Sequence, residues 1–376
     1  MMDMELSKKI PFELTLIVTH GCNLNCVYCY EHNKRNDVRM NLETAKAVIN
    51  KFMERDDYDE IRIGFIGGEP LLEFNLIKKI CEWFWSKQWN KKFLFFATTN
   101  GTVMTDSMKE WFTRNRTRFW LTLSIDGTKE THDRNRCNSF DKIDINFFLK
   151  NWPAQPIKMT ISEYNIDSLA KDVKFLHSLG FKLNGCNFAE GVELSNFIEK
   201  YKCIAHQYEE LIKYYLEHPE YESPFFQLPF SECETRSRIN QKRCGTGEHM
   251  AVADCDGTIY PCTYFSPITL EKSELTRIMK IDFNNHQNFI NEQCLNECYI
   301  YPICHGCYGD NFTLTGNLSD RSVQKCALSK LRIAAACKYM VLNLHKKLSN
   351  YSEISEKDAL NIVALKKISS MFNLNV

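Results

Sequence analysis

The sequence predicts an α/β fold built around an incomplete (βα)6 barrel, followed by a small cysteine-rich module and C-terminal helices. Six apolar, β-prone runs occur in the first half, most of them separated by segments of helical periodicity. Their spacing, roughly thirty residues per strand–helix unit, is long enough for right-handed crossovers and so implies a parallel sheet. Beyond about residue 220 the pattern changes to short hairpins and cysteine-rich loops. An open doubly wound sheet fits the same periodicity almost as well.

The six runs are Glu13–Val18, Ile61–Ile66, Phe93–Thr98, Phe119–Ile125, Ile157–Ile161 and Phe181–Cys186. A helix starts after Asn41, with Ala45, Val48, Ile49 and Phe52 on one face. Further helices are expected over Leu76–Trp89, Thr105–Asn115 and Ile166–Leu179, the last stopped by Gly180. A long helix over Ser195–Glu217 ends at His218 and Pro219, and Glu220–Pro229, rich in aromatics and proline, reads as a linker. Another helix is expected over Val323–Lys347, and residues 350–376 suit one more amphipathic helix. The expected division is therefore 1–219 for the barrel, 220–240 for the linker, 241–348 for the cysteine-rich module and 349–376 for the tail.

At 376 residues the chain can bury a large core, and its hydrophobic fraction of 44% is that of a soluble globular protein. Lys+Arg and Asp+Glu both count 47, so no net field draws it to nucleic acid or to an acidic membrane. No apolar run is long enough to span a bilayer, and Met1–Pro11 lacks the apolar stretch of a secretory signal. A cytoplasmic location is expected. Cysteine is the outlier: seventeen is an odd number and far above ordinary cytosolic usage. Clustered thiols in a reducing compartment point to metal or iron–sulfur ligation.

Cys22, Cys26 and Cys29 form a Cys-x3-Cys-x2-Cys loop directly after the first strand, where βα folds carry their chemistry. Three thiolates so close can hold three corners of a cubane and leave one iron open to a non-protein ligand. Gly21 lets the backbone turn, and Asn23 and Asn25 can bond locally. A three-ligand zinc site is the plainer alternative, although structural zinc normally takes four ligands. His20, beside the loop, is read as tuning the cluster or as purely structural.

The spacing, with Tyr28 before the last cysteine, resembles the radical S-adenosylmethionine (SAM) superfamily, whose fold is a partial TIM-type barrel. The resemblance implies that the open iron binds the amino and carboxylate groups of SAM, that reduction cleaves the sulfonium, and that a 5′-deoxyadenosyl radical abstracts a substrate hydrogen. Cys22, Cys26 and Cys29 then carry the catalytic cluster. Gly67, Gly68 and Glu69, ahead of Pro70, resemble the segment that binds the SAM amino group, with Glu69 offering a carboxylate to an ammonium. Asn100, at the end of the third strand, and Ser124 and Arg136, after the fourth, resemble residues around the carboxylate and ribose. Arg136 suits a bidentate carboxylate grip, the alternative being an ion pair with Asp133.

Cys244, Cys262, Cys294, Cys298, Cys304, Cys307 and Cys326 resemble the SPASM domain, an auxiliary-cluster module. Gly257 lies five residues before Cys262 as in that family, while the central spacing is Cys-x3-Cys-x5-Cys-x2-Cys in place of Cys-x2-Cys-x5-Cys-x3-Cys. The resemblance implies one [4Fe–4S] cluster on Cys294, Cys298, Cys304 and Cys326. A second on Cys244, Cys262 and Cys307 lacks an assigned fourth ligand, so the chain would hold three clusters in all. Cys255 sits at the tip of the hairpin turn Asp256-Gly257, on the order of 16 Å from Cys262 at ~3.3 Å per residue, too far for one cubane. A pair of zinc sites is the alternative reading of these spacings.

Radical enzymes with this appendix act on ribosomal peptides, forming thioether or carbon–carbon crosslinks, or mature sulfatases by oxidising a cysteine or serine to formylglycine. The start almost at the barrel resembles the second group. That group shares a Pro-Cys-Asp step whose aspartate is a base, whereas Pro261 and Cys262 are followed here by Thr263, which cannot act as a base near neutral pH. The expectation is therefore a peptide-modifying maturase that crosslinks a precursor, with formylglycine formation as the alternative. Expected partners are a precursor peptide or protein, a separate leader-recognition protein, and an external reductant such as flavodoxin or ferredoxin. A reading from another class is a non-catalytic iron–sulfur electron carrier or a zinc scaffold. The stripe Trp83, Phe84, Trp85 and Trp89 reads as core or interface, and Cys81 and Cys337 as packing thiols.

Overall fold

The computed structural model describes residues 9–154, 156–237, 239–348 and 356–374. In chain order the first elements are β1 (Phe12–Thr19), α1 (Leu42–Met53), β2 (Glu60–Gly67), α2 (Phe74–Trp85), β3 (Lys92–Thr99), α3 (Asp106–Asn115) and β4 (Phe119–Leu123). There follow α4 (Lys129–Asn135), α5 (Ile145–Asn151), β5 (Pro156–Ile161), α6 (Leu169–Ser178), β6 (Lys182–Phe188) and α7 (Phe197–Glu217). The remainder is α8 (Glu232–Thr235), β7 (Met250–Ala253), β8 (Ile259–Tyr260), α9 (Lys272–Ile278), α10 (Glu292–Glu297), α11 (Tyr308–Thr315), α12 (Val323–Leu348) and α13 (Glu356–Met371). All six expected strands form.

These elements make two compact units, each drawn from three stretches of chain. The first comprises Met1–Ser124, Ser139–Gln155 and Cys244–Asn284. Its sheet has the order β4-β3-β2-β1-β7-β8. β1 to β4 pair in parallel, as the periodicity implied; β1 is buried along nearly its whole length, whereas β3 and β4 alternate and leave Phe93 and Trp120 exposed. β7 was not anticipated there: it adds to the free edge of β1 in parallel, Glu13 opposite Met250 and Leu16 opposite Ala253. β8 returns antiparallel to β7 around Gly257, whose φ of 88° lies in the region that favours glycine. The core stacks Phe65 on Phe95 and Phe119, at 5.9 Å each.

The second unit comprises Ile125–Asn138, Pro156–Arg243 and Asn285–Val376. β5 and β6 pair in parallel, and the Ile125 N–H, just beyond β4, donates to Lys158 O at 2.9 Å. α7 buries Ile204, Tyr208, Leu211, Ile212 and Tyr215, and Glu209 on it pairs with Lys338 of α12 at 2.7 Å. Among the described residues no helix is long and apolar enough to cross a membrane.

Three helices differ from expectation, two in their bounds and one in its buried face. α2 stops at Trp85 with Ser86 as its C-cap, and a 3-10 turn over Pro70–Glu73 precedes it. α6 begins at Leu169 because Asn165 first makes a turn, its side chain accepting from Ser162 N at 2.7 Å. In the tail, α13 buries Ala364, Leu365 and Ile368 but exposes Ile362 and Val363, so its apolar residues do not keep to one face. Residues 350–355 and 375–376 of that expected helix lie outside the described residues.

Candidate active site

In the first unit the cluster loop leaves the C-terminal end of β1 as irregular chain. Cys22, Cys26 and Cys29 are half-buried and none is in a disulfide. The Cys29 N–H closes a turn on Cys26 O at 3.1 Å, and the Leu24 N–H points at Cys22 Sγ at 3.4 Å. Burial pushes the Cys22 thiol up, and the Glu69 carboxylate and Cys29 add to this, while Leu24 N–H and the Lys34 ammonium oppose it. Burial by itself would lower Lys34, yet Cys29 and Cys22 beside it hold its ammonium above the ordinary value. A cation thus faces the thiols, where it favours their anionic, metal-ligating form. Lys34 was missed from sequence, since a single lysine in a polar loop carries no signal.

The Gly67–Glu69 segment packs on this loop. A Cβ on Gly67 would lie 2.0 Å from Thr19 O, and one on Gly68 would lie 2.4 Å from Gly21 O and 2.7 Å from Cys22 Cβ. The two glycines are therefore required by the approach of one backbone to the other, in addition to any ligand. Gly68 N–H and Glu69 N–H donate to Thr19 O and Gly21 O at 3.3 and 2.9 Å. Glu69, 1% exposed, accepts from Leu71 N at 3.1 Å, Thr99 Oγ1 at 2.8 Å and Asn100 N at 2.8 Å. Asn100 in turn donates to Asn23 Oδ1 at 2.9 Å, and Asn23 to Thr102 Oγ1 at 2.7 Å, bracing the cluster loop. Ser124 is buried with its N–H on Thr99 O at 2.9 Å. Tyr28 is half-buried, and Tyr30 stacks on Tyr264 at 5.3 Å.

His20 is fully buried, with Nε2 2.6 Å from Asp254 Oδ1. Cys255 lies beside them, and the three donor atoms fall within 4.8 Å of one another. Cys255 donates its thiol hydrogen to Ile17 O at 3.1 Å, and burial together with Asp254 and Asp256 pushes the thiol up to about 12. The hydrogen bonds of this trio tie the β7–β8 turn to β1 and the start of the cluster loop.

In the second unit Arg136 forks onto Asp126, Nε to Oδ2 at 3.0 Å and Nη2 to Oδ1 at 3.2 Å. Both are buried, and Asp126 Oδ1 also accepts from Thr160 N at 3.0 Å. Asp133, the expected ion-pair alternative, pairs with Lys129 at 2.7 Å. His132 Nδ1 faces the Asp126 N–H at 3.4 Å, and burial with the Arg136 charge lowers its pKa to about 4, so it is neutral.

The same unit gathers Cys294, Cys298, Cys304 and Cys326 around one cavity of about 390 Å³, also lined by Arg321 and Lys330. Burial raises the Cys294 and Cys298 thiols, and the neighbouring cysteines raise them further. Four sulfur donors on one cavity fit a four-thiolate cluster or a zinc ion held by four cysteines. Cys307 caps the start of α11. In the first unit Cys244 is exposed, and burial pushes Cys262 up to about 11, with Cys244 adding to this.

Residues 16–145 match the family model of the Radical SAM superfamily. That stretch, which carries Cys22, Cys26 and Cys29, is a radical SAM domain. An uncharacterized protein of Methanocaldococcus jannaschii is 32% identical over 175 residues, 45% of this chain and 59% of that one, so the chain spans under two thirds of that relative. The cysteine-type anaerobic sulfatase-maturating enzyme of Clostridium perfringens is 24% identical over 336 residues, 76% of this chain and 85% of that one. A solved structure, native anSMEcpe with bound AdoMet and Cp18Cys peptide, matches with a TM-score of 0.67 at 19% identity, covering 90% of this chain and 100% of that one. The fold is accordingly the radical SAM partial barrel with C-terminal helices, and the open doubly wound sheet is set aside. Radical SAM enzymes work with a [4Fe–4S] cluster and SAM, and the all-sulfur donor set of Cys22, Cys26 and Cys29 fits such a cluster.

Proposed function

We propose that this radical SAM enzyme is a maturase that modifies a ribosomal peptide or protein and installs a thioether or carbon–carbon crosslink. The cluster on Cys22, Cys26 and Cys29 would supply reductive cleavage of SAM and so the radical that takes a hydrogen from the substrate side chain. The observation that carries this reading is the packing of Gly67–Glu69 onto a loop presenting three thiols at the end of β1. In it, Lys34 offsets thiolate charge, Glu69 and Asn100 hold the loop in shape, and Tyr28, Gly67, Gly68 and Ser124 border the place for SAM. Arg136, forked onto Asp126, is proposed as a SAM-binding residue on the family resemblance alone. The division proposed is 1–219, 220–240, 241–348 and 349–376 for barrel, linker, auxiliary module and tail. Partners proposed are a precursor peptide, a leader-recognition protein and a flavodoxin- or ferredoxin-type reductant.

Formylglycine formation is the second reading, favoured by the sulfatase-maturating relative that matches 76% of the chain. Against it stands Thr263 after Cys262, a hydroxyl where that chemistry uses a carboxylate base. Anaerobically reconstituted enzyme with dithionite should cleave SAM to 5′-deoxyadenosine, and Cys22→Ala should abolish this. Cleavage that persists in the variant would refute the assignment, and no cleavage by the wild-type chain with all clusters present would favour an electron carrier or scaffold. Incubation with a cysteine-containing sulfatase peptide separates the two maturase readings, since an aldehyde product means formylglycine.

A further inference from the structure

We propose that Arg321 is a positioning residue that tunes the auxiliary cluster of Cys294, Cys298, Cys304 and Cys326, its charged N–H···S bond to Cys304 raising the reduction potential. The proposal rests on the reading that these four thiols hold an iron–sulfur cluster.

Arg321 Nη1 lies 3.1 Å from Cys304 Sγ. An arginine on a surface loop would ordinarily swing free, but this one is fixed at three points. Nη1 also donates to Ser329 Oγ at 2.5 Å, Nη2 donates to His305 O, and the guanidinium lies flat on Gly306. A Cβ at Gly306 would stand 1.9 Å from Nη2 and 2.6 Å from Cζ, so only glycine leaves room for this pose. Two other charged groups line the cavity, one of each sign. Asp320 accepts from Asn291 Nδ2 at 2.8 Å, and Lys330 adds a second cation to the lining.

Reduction adds one negative charge to a four-thiolate cluster. A cation locked against a ligand sulfur stabilises the reduced form more than the oxidised one, because hydrogen bonds to sulfur and local charge set cluster potentials. The arginine therefore makes this cluster easier to reduce than the same four thiolates without it.

The test is an EPR-monitored redox titration of the reconstituted full-length chain. The relevant signal is the one lost, with about four irons, in Cys298→Ala. Arg321→Gln should move its midpoint to lower potential, and Arg321→Lys, which keeps the charge, should move it less. Ser329→Ala, which frees one anchor, should shift it in the same direction with iron content unchanged. An unmoved midpoint in Arg321→Gln overturns the proposal. If Arg321→Gln loses iron, an unmoved midpoint in Ser329→Ala overturns it instead. If Cys298→Ala removes neither iron nor signal, the cluster assignment itself falls, which is a separate failure.

Discussion

His132 has no exposed surface, and burial, helped by the Arg136 charge, holds its pKa near 4 against an ordinary 6.5. Its folded pKa is depressed, so the unfolded chain takes up a proton near pH 6.5 that the folded chain refuses until about pH 4. The stability it contributes is present above pH 6.5 and is lost as pH falls through that window, by about 2–3 kcal/mol at pH 4.5. His132→Asn keeps an acceptor for the Asp126 N–H and cannot charge. Urea unfolding at several pH values should therefore show a shallower acid decline for the variant, and parallel profiles would defeat the claim. The partner of Arg136 was not legible. Helical spacing offered Asp133, but Lys129 stands four residues before it and pairs with it, while Gly127, at φ 122°, turns Asp126 back toward the arginine. The two glycines at 67 and 68 were legible as a close approach, though their first partner is the cluster-loop backbone.

At the scale of elements, strands were read almost to the residue because parallel strands are nearly continuous apolar runs. Helix ends were read less well. The aromatic series Trp83, Phe84, Trp85 and Trp89 suggested one helix to residue 89, but the chain turns at Ser86 and folds Trp89 back onto Phe84. Phe84 is the centre of this cluster, fully buried, with ring distances of 4.6 Å to Trp89, 4.9 Å to Phe93 and 5.1 Å to Phe95. Phe84→Ala should destabilise the chain by about 3–5 kcal/mol through lost burial and the cavity left behind. Trp83→Ala, half-exposed beneath the Lys87 ammonium, should cost well under half of that. Chemical denaturation of both decides it, and equal losses would place the core elsewhere. β7 could not be anticipated, since a four-residue strand does not encode that its partner is β1, more than two hundred residues away.

For the whole molecule, the cysteine arithmetic makes the sharpest demand. Chain order suggested barrel first and cysteine-rich module second, yet Cys244 and Cys262 belong to the unit that holds Cys22, Cys26 and Cys29. Cys294, Cys298, Cys304, Cys307 and Cys326 belong to the other. Sequence shows which thiols are neighbours along the chain, and it is silent on which unit a distant segment joins. Two of the remaining thiols behave as packing groups: Cys81 is fully buried with its pKa driven well up by burial, and Cys337 bonds Leu365 O and Ser369 within one helix pair. The proposal of three clusters is tested by counting: about twelve irons and twelve sulfides per chain are expected after anaerobic reconstitution. The triple variant Cys22→Ala, Cys26→Ala, Cys29→Ala should lose about four irons, and Cys298→Ala a different four, with losses that add in the combined variant because the sites bind separately. A total near four irons, or zinc retained at the quartet, would reduce the chain to a single radical-generating cluster beside structural metal, since four-thiolate donor sets accept zinc as readily as they accept iron and sulfide.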